Sequence, residues 1–388
     1  MTDDGWRERL RAWLTENEPP AEAHTDVAAA RDYQVRLYEA GYAGLTWPAE
    51  WGGQGLGAAE SVAFAEESAS YDMPGRPFLI GMGMVGPTIV DLGSDEQRRR
   101  YLTPLLRGEE IWCQLFSEPG AGSDVAGLST RAVRDGDGWR LTGQKVWTSN
   151  AQWADHAAVL ARTSPDKPKH AGLTMFVLDM DQPGVTVRPL VDMTGNAPFN
   201  EVFLDDAWVP GDEVLGEVDG GWHAARTMLG HERVSISGLR QRRGRGVTSA
   251  ALTETARRYG TADDPAVRDE LAALYASERA LELYNVLLNQ ETAAGSPPGA
   301  RGSVGKLAGA LLAYRGVHAA GVVAGAGALV HEEDDVDGGG LELGMTSAPA
   351  SSIAGGTNEI QRNIIAERVL GLPREPTVEA RRAARSDR

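Results

Sequence analysis

One cysteine stands among 388 residues. With Cys113 alone, no internal disulfide can form, and a reducing compartment fits. It lies in the apolar run Ile111-Trp112-Cys113 and reads as a buried structural thiol rather than a nucleophile. Lysine is nearly as scarce, found only at positions 145, 167, 169 and 306. Lysine and arginine together number 38 against 55 acidic residues, for a formal net charge of −17. That balance excludes non-specific nucleic-acid binding and means that a polyanionic ligand needs a local arginine- or amide-rich pocket. The seven histidines show no metal-ligand spacing. There is no H-E-x-x-H and no Walker loop, so no metal is expected. The acidic, Gly-rich stretch His331–Gly340 reads as a solvated loop. No apolar run reads as a membrane span: Leu307–Val330 comes nearest, but Arg315 and His318 interrupt it, and a buried Ala/Gly-rich core helix is the better reading. Met1-Thr2-Asp3-Asp4 lacks the charged-then-apolar order of a signal or transit peptide, so a cytoplasmic location is expected.

The composition, 42% hydrophobic and 24% charged, is that of a globular chain. Its length allows two or three domains. From residue 1 to about 110 the signals are helical: Trp6, Leu10, Trp13 and Leu14 fall at helix spacing, followed by Val35, Leu37 and Tyr38. The turn-rich Trp47–Gly53 interrupts them. From 111 to 218 the pattern changes. Arg131–Arg134, the Asp135–Gly138 turn and Trp139–Thr142 predict a hairpin. Short runs follow at His156–Ala161, Leu173–Leu178, Val185–Leu190 and Glu201–Leu204, which predicts an antiparallel β domain. From 219 to 388 helices return. Asp264-Pro265 starts one whose apolar stripe is Val267, Leu271, Leu274, Leu281, Tyr284 and Leu288. A second begins near Ser303, and the last runs from about Asn358 to Leu370, stopped by Gly371 and Pro373. The fold class is therefore α+β multidomain: N-terminal helices, a middle β domain and a C-terminal helical domain.

Gly81-Met82-Gly83-Met84-Val85-Gly86 matches the dinucleotide fingerprint, but Pro74 and Pro77 crowd the required strand and no βαβ units follow; tight packing is the reading taken. Two other segments carry chemistry. In Leu115–Asp124, Gly120 and Gly122 let backbone amides approach phosphate or flavin oxygens, and Trp147-Thr148-Ser149 adds a flat ring and two hydroxyls. In Gly355-Gly356-Thr357-Asn358-Glu359-Ile360-Gln361-Arg362, Thr357 or Asn358 caps the last helix while two glycines expose amides before it. Taken singly, each is also compatible with an ordinary turn or strand.

Taken together, Ser117–Gly127, Gly143–Ser149 and Ile353–Leu370, in this order and separation, resemble the acyl-CoA dehydrogenase family over nearly the whole chain. The resemblance implies an N-terminal helical domain, a middle β domain and a C-terminal four-helix bundle. It implies FAD as cofactor, with Gln114, Leu115, Phe116 and Ser117 lining the flavin, Trp147 flanking it, Ser149 beside its reactive ring nitrogen and Thr148 a further cofactor contact. Gly356, Thr357 and Glu359 match positions that reach FAD in relatives. Ser123, Arg233 and Gly355 are the substrate contacts. The reaction implied is α,β-dehydrogenation of an acyl-CoA thioester, with electron-transferring flavoprotein as acceptor. The assembly implied is a homodimer or homotetramer, with a heterotetramer as the alternative.

Most members carry the catalytic base immediately before the Gly-Thr of the C-terminal motif; here that position is Gly355. A smaller set, including isovaleryl-CoA dehydrogenase, carries it on the first long helix of the C-terminal domain, where this chain has Glu232. Burial there would raise its pKa to about 6–7, and the Gly355 N–H would help hold the thioester oxygen. This base position points to a branched or ring-bearing acyl group. Two departures stand out: Ala256 replaces an arginine that grips FAD across the dimer in relatives, and a partner-facing glutamine is missing near Gly321–Gly327. They favour a heteromer, one alternative to a self-sufficient enzyme. The other is a member with altered chemistry, of the nitroalkane oxidase or desulfinase kind.

Overall fold

The computed structural model describes residues 4–236, 247–296, 298–329 and 340–374. The chain divides into two compact units, residues 1–245 with 285–297, and 246–284 with 298–388.

The first unit opens with helices α1 (Asp4–Glu16), α2 (Val27–Glu39), α3 (Ala58–Ser68), α4 (Gly86–Leu92) and α5 (Asp95–Arg107). Local chemistry sets their ends. Asp26 accepts from Ala28 N before α2, and Ser94 and Gln97 form a reciprocal capping box before α5. Gly108, in the left-handed region at φ +72°, closes α5. The glycine-rich Gly81–Val85 is a π-helical turn leading directly into α4. Its glycines are packing positions, as the sequence suggested: a Cβ on Gly86 would stand 2.0 Å from Cη2 of Trp47.

Seven strands follow: β1 (Trp112–Leu115), β2 (Arg131–Asp135), β3 (Gly138–Ser149), β4 (His156–Arg162), β5 (Leu173–Asp179), β6 (Val185–Leu190) and β7 (Phe199–Pro210). They form one sheet of order β1-β4-β2-β3-β7-β6, with β5 on β4. The expected hairpin is β2–β3, pairing Asp135 with Gly138. The sheet is not wholly antiparallel. β1 runs parallel to β4 from Trp112↔His156 to Leu115↔Val159, because the intervening hairpin is a crossover long enough to bring β4 back in the same direction. β4 and β5 read as continuous apolar runs because both faces of the sheet are covered. Ala158, Leu160, Met175 and Val177 join a core with Ile89, Leu102, Leu105 and Met228. The alternate residues Ala157, Val159, Phe176 and Leu178 pack with Leu141, Val202 and Val209. Helix α6 (Gly221–Ile236) starts where Gly221 meets β5 so closely that a Cβ would be 2.7 Å from Thr174 Cα.

The second unit contains α7 (Ser249–Tyr259), most of α8 (Pro265–Ala293), α9 (Gly302–Ala324), α10 (Gly340–Ser351) and α11 (Asn358–Ile364), which continues as a π turn through Val369. Leu252, Ala256, Val267, Leu274, Ala319, Ala320 and Val323 form its core. Among the described residues, one helical stretch, Gly299–Ala328, is long and apolar enough to cross a membrane by length and composition. The expectation of a buried helix there needs correcting. One face of α9 is in the core, but Leu311, Tyr314 and Val322 are exposed on the other, as a helix with neighbours on one side only requires. Of the charged stretch His331–Gly340, all but Gly340 lies outside the described residues.

Gly86→Ala should cost about 1–3 kcal/mol through overpacking against Trp47, read as a lower urea midpoint. Gly120→Ala, whose Cβ would meet nothing within 4 Å, should stay within about 0.5 kcal/mol of the parent. Equal midpoints for the two variants would refute the packing role of Gly86.

Candidate active site

The segment after β1 is held from beneath by a buried ion pair. Lys145, on β3, has a fully buried side chain. Its ammonium donates to Glu118 Oε1 at 2.9 Å, Phe116 O at 3.0 Å and Leu160 O at 2.8 Å. Three protons and three acceptors leave that charge fully satisfied. Glu118 accepts further bonds from Ser129 N, Ser129 Oγ and Thr130 N. Burial alone would raise the Glu118 pKa, but the Lys145 charge and these donors outweigh it and hold the carboxyl at about 2. Next to the pair, Val146 N donates to Ser117 O at 3.0 Å. Phe116, Ser117 and Glu118 are thus tied to β3 at successive residues. Leu115 and Phe116 are buried, Gln114 and Ser117 half-buried, and Ser123 exposed on the loop beyond. Space over Gly120 and Gly122 is open.

β3 then breaks its register with β7 between Lys145 and Thr148, a bulge that re-aims side chains. Trp147 sits in it at φ +61°, a left-handed conformation costly for a bulky residue. The residue is 57% exposed, and its indole meets Phe199 edge-on. Asn200 braces the bulge by donating to Thr148 O at 3.0 Å, and Asn150 Nδ2 donates to Arg76 O at 2.9 Å. Thr148 is buried and Ser149 half-buried, so of the two hydroxyls only that of Ser149 lies near the surface. A strained, exposed aromatic braced from behind is a platform for a flat ring.

Helix α6 carries Glu232, half-buried. Gln114 Nε2 donates to Met228 Sδ at 3.5 Å. Met228 and Glu232 are four residues apart, so they share a helix face one turn, about 5.4 Å, apart. The neighbouring His231 pairs with Asp91 on α4 at 2.9 Å. A cavity of about 380 Å³ is lined by Trp47, Val62, Met82, Val90, Asp91 and His231, among others. Arg233 lies on α6, but its side chain is outside the described residues.

In the second unit, Gly355 and Gly356 take φ +65° and +88°. Thr357 Oγ1 accepts from Ile360 N at 3.4 Å and caps α11. Glu359 is exposed, paired with Arg362 at 3.3 Å, and its carboxyl lies below the usual range, chiefly through its own backbone N–H and then the Thr357 hydroxyl. Among the described residues nothing accepts a hydrogen bond from the N–H of Gly355, Gly356 or Thr357. Ala256 is sealed in the bundle core, and the exposed Arg257 is paired with Glu254. No sequence motif assigns a role to Lys145, Glu118, Asn150, Asn200 or Gln361. The one sequence signal for the ion pair was a lone lysine inside the β pattern, a residue seldom buried without a partner.

Three family models match in succession: the N-terminal domain of acyl-CoA dehydrogenase over residues 2–109, its middle domain over 113–207 and its C-terminal domain over 219–370. The chain belongs to the acyl-CoA dehydrogenase family. Acyl-CoA dehydrogenase IpdE1 of Mycobacterium tuberculosis is 41% identical, with 95% of this chain and 98% of that protein covered. Among solved structures, the Tcur3481-Tcur3483 steroid ACAD superposes with a TM-score of 0.80 at 30% identity, covering 96% of this chain and 97% of that one. The ChsE4-ChsE5 complex from Mycobacterium tuberculosis does so at 0.76 and 30%, covering 96% and 98%. This acyl-CoA dehydrogenase is therefore an FAD-dependent oxidoreductase acting on acyl-CoA thioesters. Within the first unit, the exposed, braced indole of Trp147 and the tethered backbone beside it have the chemistry that a flavin ring needs.

Lys145→Met would strand the Glu118 carboxylate and cost this dehydrogenase about 3–5 kcal/mol. The folded Glu118 pKa lies below its ordinary 4.5, so the stability it contributes is complete above pH 4.5 and is lost as pH falls toward 2. Urea unfolding at pH 7 and pH 3 reads both effects. A loss under about 1 kcal/mol for Lys145→Met would show that the pair does not anchor the segment.

Proposed function

We propose that the substrate is a ring-bearing acyl-CoA and that Glu232 abstracts its α proton. The observation that carries the assignment is the Gln114–Met228 contact, which sets Glu232 one helical turn from the strand assigned to line the flavin. The usual base position is Gly355, at φ +65°, where a glutamate would carry about 1–2 kcal/mol of backbone strain. A carboxylate on α6 meets the need without that strain. As the α proton leaves, charge builds on the thioester oxygen, and the unpaired amides at Gly355–Thr357 are donors of the kind that stabilise it. Bound FAD supplies the acceptor for the β hydride. Gln114, Leu115, Phe116, Ser117, Trp147, Thr148 and Ser149 line the flavin in this reading, and Gly356, Thr357 and Glu359 match family positions that reach FAD. Ser123 and Arg233 contact acyl-CoA.

Support for a ring-bearing acyl group comes from two sides. A cavity of about 380 Å³ is lined in part by His231 on α6, and a similar protein is named a steroid ACAD. We also propose a heteromeric assembly. Ala256 leaves the partner-facing FAD contact without its arginine, and similar structures are complexes of two named chains. Electron-transferring flavoprotein is the proposed electron acceptor and the cytoplasm the proposed location.

Glu232→Gln keeps the side chain's shape but cannot take a proton. The variant should bind FAD and acyl-CoA yet bleach about 10²–10⁴-fold more slowly under anaerobic acyl-CoA. Near-parental bleaching would remove Glu232 as the base. A parent protein that binds FAD only when co-purified with a second subunit would support the heteromer, and full FAD occupancy with turnover by this chain alone would count against it.

A further inference from the structure

The Gly355–Thr357 turn is shaped by a side chain outside the set assigned to FAD and substrate. Gln361, on α11, is 1% exposed. Its Nε2 donates to Gly355 O at 2.7 Å and to Gly356 O at 3.2 Å. A carboxamide nitrogen has two protons, so one group serves both carbonyls. The opposite orientation would point Oε1 at two carbonyl oxygens, and this fixes the flip of the amide. In a trans peptide the carbonyl and the following N–H point in opposite directions. Turning the carbonyls of Gly355 and Gly356 toward Gln361 therefore turns the N–H groups of Gly356 and Thr357 away from it. Those groups, with the N–H of Gly355, have no acceptor among the described residues. Successive amides left pointing out of a turn form a concavity that receives an anionic oxygen.

Glycine is required here for two reasons. Gly356 stands at φ +88°, and a Cβ on it would fall 2.8 Å from Gln361 Nε2. Two adjacent glycines are also the most freely rotating backbone a chain can offer. Left alone they would hold no donor in place. A donor stabilises developing charge only if it is already aimed when the charge appears.

We infer that Gln361 is a positioning residue that aims the Gly356 and Thr357 amides at the thioester oxygen as enolate charge develops. The inference rests on the acyl-CoA dehydrogenase reading of this turn. Gln361 acts through the backbone, by its bonds to the carbonyls of Gly355 and Gly356.

The test compares two ligands on the FAD-loaded full-length protein, alone or with its partner subunit if one is needed. One is a 3-ketoacyl-CoA, which binds as its enolate; the other is the S-alkyl-CoA thioether of the same chain, which has no carbonyl. In Gln361→Met, of similar length but without donors, the 3-ketoacyl-CoA should bind at least 10-fold more weakly. The thioether should stay within 3-fold of the parent. The rate of flavin reduction at saturating acyl-CoA should fall about 10–100-fold, with half-saturation little changed. A purely structural role would weaken both ligands alike, so equal weakening, or none, overturns the inference. If Gln361→Met does not fold, Gly356→Ala, which displaces the same side chain from the other side, must give the same split. A parent protein that binds neither ligand overturns instead the acyl-CoA reading on which the inference stands.

Discussion

The Lys145–Glu118 pair is the interaction on which the first unit's site depends. A charge pair taken out of water is unfavourable unless every remaining lone pair and proton is satisfied. Here they are: the ammonium has three acceptors and the carboxylate three more donors besides it. Satisfying them draws Phe116, Glu118, Ser129, Thr130 and Leu160 to a single point. The chain between β1 and β2, which has little regular structure of its own, becomes rigid because its polar groups have nowhere else to go. The bulge that exposes Trp147 begins at the same lysine, so the platform and the segment beside it are referenced to one anchor.

The second unit solves a similar problem differently. Its donors are backbone amides on a two-glycine turn, and no charge holds them. A neutral carboxamide does so, buried and bound to two carbonyls. The positive φ values that allow this geometry also disfavour a side chain at Gly355. At Gly355 the backbone conformation therefore favours glycine, and the neighbouring carbonyls are taken up by Gln361.

Packing also fixes the role of Ala256. It is sealed against Leu252 and Ala319 in the core of the second unit, so a long cationic side chain cannot be restored there without disturbing the packing. The position that the family resemblance assigns to a cofactor-gripping arginine is therefore a packing position in this chain.

Several features were legible in the residues alone. The β2–β3 hairpin followed from Asp135–Gly138, a cap at Thr357 or Asn358 from the glycines before the last helix, and the packing role of Gly81–Gly86 from the prolines around it. These depend on near neighbours in the chain, so local spacing and turn chemistry suffice to define them. The parallel β1–β4 pairing, the exposed face of α9, the partner of Lys145 and the grip of Gln361 on two carbonyls did not follow from any local pattern. Lys145 and Glu118 are 27 residues apart, and Gln114 and Met228 are 114 apart. Sequence determined which residues could donate, accept or turn. Which of them meet was decided by packing, because a buried polar group is stabilised only by the partner that the folded chain brings within hydrogen-bonding distance.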